Sequence, residues 1–188
     1  MLKKFFKDSA EVLNSLVDLE DDCLSVVNEI KNTQQMGNTI LVAGNGGSCT
    51  DGLHFVGELT CTYNKESREP YRAICLNSNQ AALTAWSNDF DFDTYYKRQV
   101  EALGKKGDIL IIFSTSGGCF EKNRSINLLH AANYAKKAGL KVISFLGKNG
   151  GELSKVSDLV LHVRCKSTAQ VQQAHITLAH GICELLEG

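Results

Sequence analysis

The chain has 188 residues, 43% of them hydrophobic and 22% charged, with 20 Lys plus Arg against 21 Asp plus Glu. A chain of this length buries roughly 70% of the surface it exposes when unfolded, so residues 1–188 are expected to form one domain without disulfides or a structural metal. The net charge of −1 gives no pull toward nucleic acid or an anionic membrane, no apolar stretch reaches the roughly 20 residues of a span, and the charged start Met1-Leu2-Lys3-Lys4 is unlike a signal peptide, which points to the cytoplasm.

Residues 8–35 carry apolar side chains at helical spacing. Val12, Leu13, Leu16, Val17, Leu24, Val27 and Ile30 form one broad face, and Gly37 closes the run. This N-terminal helical segment, about 1–37, precedes an alternating region. Apolar runs at 39–43, 72–76, 108–113, 141–146 and 159–163 read as strands, with helical stretches around 48–60, 79–87, 91–103, 124–138 and 168–186. Strands that are continuously apolar are buried on both faces, as in a parallel sheet covered by helices. The expected class is therefore α/β, a three-layer αβα sandwich with its site at the carboxyl ends of the strands. The seven cysteines, Cys23, Cys49, Cys61, Cys75, Cys119, Cys165 and Cys183, are dispersed without a Cys-x-x-Cys pair and read as buried small apolar residues in a reducing compartment.

Two strand ends carry unusual loops. Ala43-Gly44-Asn45-Gly46-Gly47-Ser48 joins a strand to a helix. Its glycines let backbone N–H groups approach an anion at a helix N-terminus, or simply make a tight turn. It fits neither Gly-x-Gly-x-x-Gly nor the Lys-bearing phosphate loop. Ser114-Thr115-Ser116-Gly117-Gly118 follows the third strand, and its hydroxyls can ring a phosphate without formal charge or can serve as turn residues and caps. Two such loops on one sheet favour a sugar-phosphate site.

The titratable residues add a second pattern. His54 and Glu58 are spaced i, i+4 on the helix after the glycine loop. On the last helix Gln172 and His180 fall within about 80° of each other around the axis, whereas His175 lies about 140° from His180 and is assigned to packing or a subunit contact. His54 and Glu58 alone read as a surface pair. Beside phosphate loops they become candidates for acid/base work or, with Gln172 and His180, for a divalent metal.

These residues, together with Asp51, Phe55 and Leu59 and the later Asn88-Asp89-Phe90, resemble the phosphoheptose isomerases, a family of sugar isomerase (SIS) domain enzymes, over nearly the whole chain. The resemblance implies a five-stranded parallel, flavodoxin-like sheet and a homotetramer with sites at subunit interfaces. It implies substrate contacts from Asn45, Gly46, Gly47, Ser48, Asn88, Asp89, Ser114, Thr115, Ser116 and Gln172, catalysis by Glu58 and His180, and one zinc ion on His54, Glu58, Gln172 and His180. Members usually continue Ser-Thr-Ser-Gly directly into Asn-Ser-x-Asn. Here residues 118–124 intervene, so Ser125 is aligned with the family's later phosphate serine across an insertion, and that insertion bears on substrate choice.

The implied reaction is aldose-ketose isomerisation of sedoheptulose 7-phosphate to D-glycero-D-manno-heptose 7-phosphate through an enediol, in the supply of heptose for lipopolysaccharide or other glycans. Glu58 is the expected base and His180 the partner acid. The alternatives are an isomerase of another phosphosugar, or a non-catalytic SIS module that binds a protein partner; such modules tend to lack the catalytic Glu and His.

Overall fold

The computed structural model describes residues 1–188. The N-terminal segment is not one helix over 8–35. It comprises α1 (Leu2–Asn14), a 3₁₀ turn (Ser15–Leu19) and α2 (Glu20–Gln35). Two local causes explain the break. The Ser15 hydroxyl donates to the Val12 carbonyl at 2.8 Å, a bond that competes with helical pairing. Glu20, Asp21 and Asp22 then open a new first turn, where the helix dipole favours negative charge. The break also splits the apolar face: Val26, Val27 and Ile30 are buried, while Leu13, Val17 and Leu24 stay exposed.

Five parallel strands follow, β1 (Ile40–Gly44), β2 (Ala73–Cys75), β3 (Ile109–Ser114), β4 (Lys141–Leu146) and β5 (Leu159–His162), in the order β2-β1-β3-β4-β5. All five expected strands are present. The edge strand β2 is the shortest, with Ile74 exposed on its open side. The helices are α3 (Gly47–Thr60), α4 (Gln80–Asp89), α5 (Phe92–Leu103), α6 (Ile126–Ala138), the unanticipated single turn α7 (Leu153–Val156) and α8 (Thr168–Glu187). None of them is long and apolar enough to cross a membrane.

Alternation along β3 builds both layers. Ile109, Ile111 and Phe113 face a core shared with Val26 and Ile30 of α2, Phe55 of α3 and Leu178 and Ile182 of α8. Leu110 and Ile112 face Tyr95, Tyr96 and Val100 of α5 and Leu128 and Leu129 of α6. Each such side chain contributes about 1.5–3 kcal/mol on burial. Three cysteines are buried as expected, Cys23, Cys75 and Cys183, but Cys49, Cys119 and Cys165 are half-buried and Cys61, just past the end of α3, is exposed. The chain runs from β1 out to β2 and returns past β1 to β3. The topological switch point, where open α/β sheets bind ligands, is therefore the crevice between the carboxyl ends of β1 and β3.

Candidate active site

Both unusual loops meet at that crevice. A cavity of about 260 Å³ is walled by Asn45, Gly46, Gly47 and Ser48 on one side and by Ser114, Thr115, Ser116 and Ser125 on the other, with Thr168 and Gln172 of α8 closing it. The Ser48 and Cys49 N–H groups turn back on the Asn45 and Gly46 carbonyls at 3.1 and 3.0 Å, so the Gly47 N–H and the ring of hydroxyls are left to offer donors to an anion. The Gln172 amide rests against Gly47, in the space that a Cβ there would take, so a larger residue at 47 would displace that amide.

Buried polar contacts hold the loops. The Tyr96 hydroxyl donates to the Gly44 carbonyl at 2.6 Å, and Asn77 bonds the Tyr96 oxygen at 2.5 Å and the same carbonyl at 3.2 Å. The side chains of Asn45 and Asn127 exchange two bonds at 2.9 and 3.0 Å. The hydroxyl loop is tied to the loop after β4 by Leu153 N–H to the Gly117 carbonyl at 2.8 Å and Glu152 N–H to the Gly118 carbonyl at 3.2 Å. Gly117 has φ of +69°, and a Cβ there would strike the Gly150 carbonyl. Residues 118–124 leave the cavity as a small excursion closed by paired Cys119 and Arg124 backbones at 2.9 and 3.0 Å. The chain returns at Ser125, whose Oγ lies 3.5 Å from that of Ser116.

Lower on α3 and α8 lies a second group. His54 Nε2 is 2.8 Å from Glu58 Oε1 and 3.4 Å from His180 Nε2, and the two imidazole rings meet edge to face with centroids 5.0 Å apart. One ligand atom from each of His54, Glu58 and His180 lies within 4.8 Å of the others. Two imidazole nitrogens and one carboxylate oxygen with an open side are a donor set suited to zinc. Asp51, one turn before His54, has a buried Oδ2 without a hydrogen-bond partner, and burial lifts its carboxyl to about 6 against the opposing pull of His54. Arg68 fixes the two helices from behind: Nη2 donates to the Glu58 carbonyl at 2.6 Å, Nη1 to the Leu59 carbonyl at 3.1 Å, and Nε lies 3.3 Å from Glu187 Oε1.

Not every expected residue joins these groups. Gln172 sits in the upper cavity, about 12 Å along α8 from His180. Asn88 and Asp89 are outside the cavity of their own chain, exposed at the end of α4, which packs against α5, and bonded to each other at 2.8 Å. His175 is a core residue, fully buried edge-on to Phe113 and Phe145. Asn77, Tyr96, Asn127 and Arg68 escaped the sequence reading. Their roles depend on partners far away in the chain, and no local pattern marks them.

An anion-sized cavity at the switch point of this sheet, with imidazoles and a carboxylate below it, is the arrangement of a sugar-phosphate domain. The matching family model is the SIS domain, over residues 4–147. The chain is 41% identical over 181 residues to the phosphoheptose isomerase of Campylobacter concisus, covering 96% of this chain and 90% of that protein. It is 38% identical over 185 residues to a probable phosphoheptose isomerase of Thermoplasma acidophilum, covering 98% and 97%. Among solved structures, a phosphoheptose isomerase from Francisella tularensis superposes with a TM-score of 0.91 at 28% identity, covering 98% of this chain and 95% of that one. The enzyme from Neisseria gonorrhoeae gives 0.89 at 30% identity, covering 99% and 96%. The chain belongs to the phosphoheptose isomerase family of SIS-domain proteins and is an isomerase.

Proposed function

We propose that this chain converts sedoheptulose 7-phosphate to D-glycero-D-manno-heptose 7-phosphate, supplying heptose for lipopolysaccharide core or related glycans. The observation that carries this reading is the approach of Glu58 and His180 to within 4.8 Å, below a cavity of neutral phosphate donors. The hydroxyls of Ser114, Thr115, Ser116 and Ser125 and the Gly47 amide bind the phosphate and orient the reacting carbons, so that remote binding energy is spent on positioning. Glu58 draws the proton from C1 as the C2 oxygen takes up a proton, giving the cis-enediol; a proton is then returned to C2 as the C1 hydroxyl proton leaves to form the aldehyde, with His180 as the partner acid in these transfers. His54, bonded to Glu58, holds the carboxylate in place. A zinc ion on His54, Glu58 and His180 would supply Lewis-acid polarisation of the sugar oxygens.

The assembly in this reading is a homotetramer. Leu2, Phe6, Leu13, Val17 and Leu24 leave the N-terminal helices with exposed apolar side chains that a neighbouring copy would cover. Asn88 and Asp89 would then reach a substrate only in the site of a neighbour. A cytoplasmic location belongs to the same proposal and rests on the seven free cysteines. The test is Glu58→Gln, which preserves shape and removes the base. It should keep phosphate binding and lower kcat by about 10²- to 10⁴-fold, whereas near wild-type turnover would remove Glu58 from this role.

A further inference from the structure

A second cavity, of about 350 Å³, adjoins the first, and Ser116 lies in the wall of both. Their electrostatics differ sharply. No Lys or Arg lines the first cavity, whereas Lys122, Arg124, Lys148 and Lys155 converge on the second with Glu152 as its one carboxylate. Oε1 of Glu152 is already engaged, accepting the Phe120 N–H at 2.8 Å. None of the four cations takes part in an ion pair of the chain. Like charges gathered without counterions repel one another, and an anion between them removes that cost.

The cations come from three separate segments that the fold locks together. Lys122 and Arg124 stand on the excursion closed by the Cys119–Arg124 pairing, Lys148 follows β4, and Lys155 belongs to α7. The excursion and the β4 loop are joined by Glu152 N–H to the Gly118 carbonyl, Leu153 N–H to the Gly117 carbonyl and the Phe120 bond to Glu152. The site is thus built from tied backbone on the far side of Ser116 from the hydroxyl ring.

We propose that this cavity is an anion subsite for a second phosphoryl group, beyond the one that the hydroxyl loop would hold. Two ligands present that chemistry. One carries the second phosphoryl bonded to the first, as a diphosphate; the other is a separate phosphate-bearing anion beside a bound sugar phosphate. In both, Lys122, Arg124 and Lys148 meet a tetrahedral anion with charge-assisted hydrogen bonds.

The test is titration calorimetry on the whole protein with inorganic phosphate and with pyrophosphate, in the wild type and in Lys122→Gln/Arg124→Gln. It needs no turnover, so its outcome is separate from that of the isomerase reading. Both substituted residues are exposed, and circular dichroism checks that the fold is kept. A joined ligand gives pyrophosphate binding about ten-fold tighter than phosphate, with the advantage lost in the double variant, as two partly exposed ionic contacts would give. A separate anion gives two phosphates per chain in the wild type and one in the variant, with sedoheptulose 7-phosphate displacing only one. One phosphate per chain with no pyrophosphate advantage, or an advantage that the double variant keeps, overturns the proposal.

Discussion

His175 offers a quantitative test of how the sheet and α8 are packed beneath the site. Its ring is fully buried between Phe113 and Phe145, neither nitrogen makes a well-formed hydrogen bond, and burial lowers its pKa from 6.5 to about 4 against the opposing pull of the Leu146 backbone. The unfolded chain therefore takes up the proton first as pH falls. Stability is lost from about pH 6.5 downward until the folded state also protonates, near pH 4. Linkage makes the loss negligible at pH 7, about 2 kcal/mol at pH 5 and about 3 kcal/mol at pH 4. His175→Leu removes this term. At pH 7.5 it should stay within about 1.5 kcal/mol of wild type, because it discards two unpartnered polar atoms at similar volume. Guanidinium unfolding followed by circular dichroism at pH 7.5, 5.5 and 4.5, at one protein concentration, measures both proteins. Groups common to the two cancel, and the variant should gain on wild type by about 2 kcal/mol or more toward pH 4.5. Parallel pH profiles would refute the buried, neutral imidazole.

Two further predictions concern the metal and the assembly. Elemental analysis should find about one divalent ion per chain, absent from His54→Ala, and excess chelator should lower activity; metal-free protein with full activity would leave His54, Glu58 and His180 as proton-transfer and hydrogen-bonding groups alone. Light scattering should give a species near four times the 20.6 kDa chain mass, and a stable monomer at micromolar concentration would contradict covering of the apolar N-terminal helices by other copies.

The strands were legible in the sequence because burial on both faces writes an unbroken apolar run, as in Ile109-Leu110-Ile111-Ile112-Phe113. The loops at the β1 and β3 ends were legible because close backbone approach and neutral phosphate donors demand Gly, Ser and Thr. His54 and Glu58 could be paired from their spacing on one helix. Other features needed contacts that spacing does not encode. Tyr96 reaches Gly44 from 52 residues away, and Asn127 reaches Asn45 from 82. Arg68 holds α3 to α8 through backbone carbonyls and Glu187. The 3₁₀ turn at Ser15–Leu19 shares the apolar spacing of a continuous helix, so periodicity alone reads through it. The placement of Ser125 depends on the Cys119–Arg124 pairing, a non-local contact that lets an excursion leave and rejoin the same cavity.

In the proposed reaction Glu58 and His180 move a proton between adjacent carbons of a seven-carbon sugar phosphate. Incubation with sedoheptulose 7-phosphate in deuterated water, followed by NMR, tests it most directly. Wild-type protein should yield the aldose 7-phosphate with deuterium at C2, since an enediol proton held by a carboxylate or imidazole exchanges with solvent. Glu58→Gln should yield almost none over the same interval. Folded wild-type protein, supplied with zinc, that forms no aldose and leaves the ketose free of deuterium would contradict the account.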